Sequence, residues 1–547
     1  MNSLVVALVS CAALYVGYVT YCRFIARLWD FDPDRPTPAT ERPDGVDYVP
    51  ARHWTVLFGH HFASIAGVGP VVGPVLACAL WGWGPALLWI VLGSVFLGAV
   101  HDFSSLMASL RGRGRSIADL AEEHLGHRVR LIFGGFLWLT LVLVVAVFAH
   151  FGAMTLAAAP QVVIPTFGVI AVAILVGMMM YRWGVPQWLA TVVGLGLLAG
   201  LLMLGYFVPL ELPFGERNLT AWKVILLAYA YFASITPVNL LLQPRDYLST
   251  FVLYFSLLAG YVGLALTRPA VQSPAWVGFA SDQGPLYPML FVVVACGAIS
   301  GFHSLVASGT TAKQLGNEGD APRIGYGAMI VEAALAVLAV VAVTAGLRWG
   351  TQAGAFGSIL QEKGPLIAFA NGFATITEPL FRNPELGALV AITALKTFVM
   401  TTLDSATRIT RYIGEELFGE GLGIKFLKNR FAATFVIVGL ALYLAWGSWE
   451  TVWPVFGSAN QLIAALALLV LTVVLSRRGK PVIYTLVPFI FMLVTTLAAL
   501  AYQGREFLRG GKLMLAAISG ALIALAALMV LDSLRVLVRG RRERAAR

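Results

Sequence analysis

The chain has 547 residues, of which 59% are hydrophobic and only 12% charged, with a mean hydropathy of +0.81 and a formal net charge of +10. Soluble domains carry about 25% charged residues, so the composition excludes a soluble protein and defines a polytopic membrane chain. The basic residues cluster in short loops between apolar segments, which is a topology signal and no sign of nucleic-acid binding. The cysteines Cys11, Cys22, Cys78 and Cys296 lie in or beside apolar segments without CxxC or Cys/His spacing, so they read as packing residues and imply no disulfide framework.

A spanning helix needs about 20 apolar residues, and lipid admits helices where it forbids open sheet edges. The expected fold is therefore all-α, with about fifteen spans at 3–28, 54–82, 84–110, 130–157, 162–181, 185–208, 220–242, 246–267, 286–312, 324–347, 387–413, 430–447, 454–476, 481–502 and 513–538. The first is expected to be a retained helix, since its apolar run is long and it lacks the basic start and small-residue cleavage site of a signal peptide. Basic loops at RGRGR (111–115), Arg182, Arg245 in loop 243–246, Lys313 and Arg323, KFLKNR (425–430), SRRGK (476–480) and RGRRER (539–544) alternate with poorer ones. The segment GREFLRGGK (504–512) is the exception. The positive-inside rule then places the N-terminus outside and the C-terminus in the cytoplasm, with an odd number of spans. The stretch 348–386 is read as a short amphipathic surface helix or part of an external gate.

The second span contains GHHFASIAGVGPVVGP (59–74). Gly67, Gly69, Pro70, Gly73 and Pro74 should interrupt it near mid-membrane, presenting backbone groups and half-helix ends as secondary transporters do. His60 and His61 precede the break and can carry protons or bind an anion; adjacent helical residues point about 100° apart, so at most one faces the site directly. The plainer reading is a kink with one packing histidine. A second interruption is expected at 229–247, where Pro237 and Pro244 sit among Ser234, Thr236, Asn239 and Gln243. It lies five spans later and runs in the opposite direction, which fits an inverted five-helix repeat; the alternative is a proline kink at a helix end. The run 299–314 offers Ser300, His303, Ser304, Ser308, Thr310 and Thr311, and 396–412 offers Lys396, Thr401, Thr402, Asp404, Ser405 and Thr407. An intramembrane carboxylate is a functional candidate, so Asp404 carries the coupling proton, pairs with a cation, or makes a structural ion pair with Arg408 one turn on. The hydroxyls either bind Na⁺ or join helices. His101–Asp102 reads as a proton relay or a structural pair, Glu332 as an acid awaiting a lysine, and Asn460 and Gln461 as caps between helices. No Walker A, GxSxG or HExxH motif supports catalysis.

The stretches HHFASIAGVGPVVGPVLA (60–77), HDFSSLMASLRGRGRSIADLA (101–121), LLQPRDYLSTF (241–251), SGFHSLVASGTTAKQL (300–315), TTLDSATRITRY (401–412) and WPVFGSANQLIAALAL (453–468) together resemble the carbon starvation protein A family of bacterial inner-membrane transporters. The resemblance implies uptake of peptides or pyruvate during carbon limitation, driven by protons, on a LeuT-like core of five plus five inverted helices. Its expected segments are 1–53 (first helix and cytoplasmic loop), 54–208 and 220–413 (the two repeats) and 430–547 (accessory helices and basic tail). Substrate is expected at His60, His61, Gly67, Gly69, Gly73, Ser234, Thr236 and Asn239. Ion coupling is expected at Asp404, His61, His303, Ser308, Thr310 and Thr311, with H⁺ or Na⁺ as the coupling ion and no cofactor or metal. The expected partners are a small carboxylate or peptide and the lipid bilayer. Rival classes are a solute sensor, for which no signalling domain is apparent, a Na⁺-coupled carrier and a channel.

Overall fold

A computed structural model describes residues 1–446 and 449–545. Residue 447, the end of the expected span 430–447, and the last two residues of the tail lie outside it, as do the side chains at the start of TVWPVFGSANQLI and those of RGRRER. The described chain is helical apart from loops and a two-residue antiparallel pair, Ala280–Ser281 with Gly284–Pro285. Twelve helices are long and apolar enough to cross a membrane, and the bent pair Trp54–Ile65 and Gly69–Leu80 makes up to thirteen. The protein is thus a multi-pass membrane protein. Burial separates core from rim. The apolar window of Phe456–Arg477 is wholly buried and that of Glu318–Gly346 is 83% buried, whereas Gln187–Phe207 and Leu513–Ser533 bury only 28% of theirs and leave the rest to lipid.

The basic loops meet on one face, called here the basic face. Arg111 pairs with Glu318 at 2.6 Å, Lys480 with Asp30 at 2.5 Å, and Arg408 and Arg411 with Asp47 at 2.6 and 3.0 Å. The Ala51 N–H donates to the Gln314 carbonyl at 2.9 Å. On the opposite face the N-terminus pairs with Pro269–Val271, and Gly84 with Ala275. The stretch 348–386 forms a longer helix than expected, Phe356–Phe381, bent at Gly364 where φ is +82°. Both its ends lie on the opposite face, and it packs closely on Gly346 and Gly263.

Three expectations need correction. The interruption expected at 229–247 is a connection, 236–241, between two separate candidate spans, Asn218–Ile235 and Leu242–Thr267. Pro237 lies in that connection, and Pro244 is the third residue of the following helix, where its missing N–H has no intrahelical partner to lose. Arg245 is therefore no loop residue: it sits in the first turn of a span and is 2% exposed. The second true interruption falls at 286–309, where Leu286–Val293 and Gly301–Gly309 are separated by the non-helical 294–300.

Candidate functional site

The two interruptions pack on each other. The first unwinds at 66–68 and bends by 41°. A Cβ on Gly69 would strike the Cys296 side chain, and one on Gly73 would strike the Val293 carbonyl, so these glycines let the two irregular backbones touch. Their freed carbonyls are satisfied by side chains, as burial demands. Thr402 Oγ1 donates to Ser64 O at 3.2 Å. At the second break, Trp89 Nε1 donates to Val294 O at 3.0 Å, Ser94 Oγ to Gly297 O at 3.0 Å and Gln461 Nε2 to Ile299 O at 3.2 Å. Asn460 Oδ1 accepts from the Phe302 N–H at 2.9 Å. Asn460 and Gln461 thus cap the half-helices rather than sit free.

His60 and His61 serve two different buried clusters. His60 Nδ1 lies 2.6 Å from Asp246 Oδ2, and its Nε2 lies 3.3 Å from both Thr310 Oγ1 and Gln314 Nε2. Asp246 also accepts from Arg245 Nε at 3.0 Å and Thr401 at 3.2 Å. The Arg245 guanidinium bridges to Asp404, which accepts from the Tyr229 hydroxyl at 2.7 Å. Asp404 therefore pairs with Arg245 and not with Arg408, whose partner is Asp47. All of this is buried in an apolar bundle, where an unpaired charge is costly.

His61 Nδ1 meets Thr311 Oγ1 at 2.8 Å, while its Nε2 has no hydrogen-bond partner. Nearby, Asp102 Oδ1 lies 2.8 Å from His101 Nδ1 and Oδ2 lies 2.9 Å from His303 Nδ1. His303 Nε2 is 3.5 Å from Glu332 Oε2, so Glu332 faces a histidine and no lysine.

Among the hydroxyl residues, Ser64 and Ser405 meet at 2.7 Å, while Ser308 bonds its own helix and accepts from the Ile117 N–H at 3.3 Å. Ser234, Thr236 and Asn239 are not brought to the first break. Ser234 bonds Thr434 at 3.4 Å, Thr236 bonds back to Phe232, and Asn239 packs by its carbonyl against Gly177. Asp246, Tyr229 and Gln314 are site residues that the sequence pattern did not yield. Asp246 follows Pro244 and Arg245 directly, so it reads as loop until the helix is known to begin at Leu242.

Lys396 is a fully buried lysine whose Nζ donates to the Gly152 carbonyl at 2.6 Å. With Arg245, Tyr229, Ser249 and Thr393 it lines a cavity of about 30 Å³. On the basic face, Asp47 is clamped by Arg408, Arg411 and the Tyr412 hydroxyl (2.7 Å). Burial opposes its charge, but Arg411 and Arg408 more than offset that and hold its carboxyl at about 2.

These features define a polytopic helical membrane protein in which two broken helical segments pack on each other beside buried ionic clusters. The family described as carbon starvation protein CstA matches residues 2–352 and 346–499. The chain belongs to that family. It is 33% identical to the peptide transporter CstA of Campylobacter jejuni, over 90% of this chain and 79% of that one. It is 32% identical to the pyruvate/proton symporter BtsT of Escherichia coli over 92% and 82%, and 32% identical to the peptide transporter CstA of Bacillus subtilis over 90% and 89%. Among solved structures, a manganese transporter of Eremococcus coleocola aligns with TM-score 0.44 at 12% identity, covering 90% of this chain and 99% of that one.

Proposed function

We propose that this protein is a secondary active transporter of the bacterial inner membrane, importing pyruvate or short peptides with protons by alternating access, in response to carbon limitation. The observation that carries the reading is the crossing of two interrupted helices that run in opposite directions: Trp54–Leu80 leaves the basic face and Leu286–Gly309 returns to it. The names of the relatives supply the substrate classes. The basic face is the cytoplasmic one, with the N-terminus outside and the C-terminus inside. Counting the bent pair, Leu286–Gly309 and Arg430–Trp446 as spans brings the twelve to fifteen.

A LeuT-like inverted repeat remains part of the proposal, with its second half moved. Each half runs interrupted helix, span with a π-helical turn (Ser94–Gly98; Pro322–Tyr326), non-spanning helix (Ile117–Leu125; Phe356–Phe381) and long span. The long spans have 32 and 31 residues, His127–Ala158 and Pro384–Gly414. Two further spans close each half: Asn218–Ile235 and Leu242–Thr267 in the first, Arg430–Trp446 and Trp449–Arg477 in the second. The hairpin Val163–Tyr181 with Gln187–Phe207 is then an insertion in the first half, which is why the interruptions fall seven spans apart instead of five.

The substrate carboxylate is assigned to backbone N–H groups at Gly67–Gly73, beside His60 and His61, with the Lys396 side chain as a hydrogen-bond donor along the path. The cavity beside Lys396, about 30 Å³, has room for about two waters. Na⁺ coupling is the second reading, favoured by the hydroxyls of Ser64, Thr401, Thr402 and Ser405 against the first break. Uptake of labelled pyruvate and dialanine into proteoliposomes, with an inward proton gradient, a sodium gradient or neither, tests the proposal. Concentrative uptake of one of them with the proton gradient is expected. Accumulation that ignores the proton gradient would remove proton coupling, and no uptake of either solute would remove the substrate assignment. Lys396→Gln is expected to raise KM for pyruvate about tenfold, the loss of one hydrogen-bond contact, with little change in thermal stability.

A further inference from the structure

His303 lies in the first turn of the half-helix that follows the second break. Its imidazole sits between two carboxyl groups, Asp102 at 2.9 Å and Glu332 at 3.5 Å, and Asp102 carries His101 on its other oxygen at 2.8 Å. All four side chains have 0% exposure. Neither oxygen of Glu332 has a hydrogen-bond partner, and neither has Nε2 of His101, His303 or His61. The ionisable groups facing this space are His101 and Asp102 from Ala99–Arg111, His303 from Gly301–Gly309, Glu332 from Gly327–Gly346, His61 from Trp54–Ile65 and Cys296 from the break. Among the described residues no lysine or arginine forms an ion pair with Asp102 or Glu332.

That composition fixes the chemistry. A buried carboxylate must be paired or neutralised. Where no fixed cation is present, two carboxylates reach neutrality only by holding two protons, on the acids or on the imidazoles. Each proton gained or lost then changes the buried charge by a full unit. The site is also tied to the moving parts: His303 begins the half-helix, and Cys296 of the same break is the residue on which Gly69 packs.

We propose that Asp102, His303 and Glu332 are the site that carries the coupling proton, a deepening that rests on the transporter reading above. A proton arriving on Glu332 passes to His303 Nε2 as Nδ1 gives its proton to Asp102. The imidazole ends neutral with its tautomer reversed, Glu332 is again a carboxylate, and the cluster has gained one proton; the second proton that neutrality requires is held on the His101 imidazole. His101 orients Asp102 as a positioning residue.

The test uses full-length protein in proteoliposomes containing a pH dye, with pyruvate and dialanine as probes. The wild type is compared with Glu332→Gln, Asp102→Asn and Glu332→Asp. Two readouts are taken: exchange of labelled solute without a gradient, and accumulation driven by an inward proton gradient. With one proton per solute, a gradient of one pH unit sustains about tenfold accumulation. The neutral variants are expected to keep exchange within about twofold of wild type, since the mid-membrane solute contacts are untouched. They should lose the tenfold accumulation and the solute-induced acidification. Glu332→Asp should retain accumulation with a shifted pH profile. Neutral variants that still concentrate solute would overturn the proposal, as would an Asp variant that exchanges but does not concentrate. Loss of both readouts with an unchanged melting profile would also overturn it, placing the cluster in solute binding. Absence of exchange in the wild type would instead sink the transporter reading itself.

Discussion

The two buried ionic clusters differ in one component, a guanidinium. Around His60, the carboxylates Asp246 and Asp404 share Arg245, a charge that no accessible pH removes. Around His303, Asp102 and Glu332 share only imidazoles. Both clusters sit against the broken helices, and both are fully buried. The first is a permanently paired strut between Leu242–Thr267 and Pro384–Gly414; the second holds a charge that varies with proton number. A titratable residue inside a membrane is therefore not a proton carrier by location alone. What its neighbours fix decides.

Removing the fixed cation gives the largest expected effect. Arg245→Gln leaves two carboxylates facing one histidine and should cost about 3–5 kcal/mol, read as a fall in the melting temperature of detergent-solubilised protein. Adding Asp404→Asn to that variant should recover much of the loss; no recovery would break the contrast, because the strut would not be electrostatic. A smaller effect is expected at Asp47, a loop carboxylate with two fixed cations, which extends the paired pattern to the basic face. Its carboxyl is held at about 2, below the ordinary 3.8. Docking of loop 29–53 thus gains stability that is complete above about pH 4 and is lost as pH falls through 2, on the order of 2 kcal/mol. Pepsin cleavage of the loop should rise across that window, and Asp47→Asn should abolish the dependence. The smallest stability change is expected for Glu332→Gln. This carboxyl has no hydrogen bond to lose, so the variant's stability should stay within about 1 kcal/mol of wild type or rise. A large loss there would show that Glu332 is structurally paired like Asp404.

Much of the fold was legible because lipid leaves few options. The segment 3–28 matches the helix Ser3–Leu28, and 162–181 and 185–208 match their helices within a few residues. The first break was legible for the same reason: the glycines and prolines of GVGPVVGP act against a continuous helix inside a span. The second has no such mark in the sequence, because proline and helix breaks do not coincide there. Pro237 and Pro244 mark a connection and a first turn, where proline is harmless, while VACGAIS unwinds at 294–300 without any proline. Its irregular backbone depends on acceptors and donors from Trp89, Ser94, Asn460 and Gln461, all distant in sequence.

By itself the sequence determined that this is a many-span membrane protein, which loops share a face, and that His60–Gly73 is an interrupted helix. Those properties follow from local composition: apolar length, loop charge, and the backbone limits of glycine and proline. Tertiary structure decided which charges are partners. Asp404 turned from Arg408 to Arg245, Glu332 from an expected lysine to His303, and the adjacent histidines to separate clusters. Pairing in a low-dielectric interior depends on which helices are neighbours, and residues 29 to 250 positions apart carry no local mark of that.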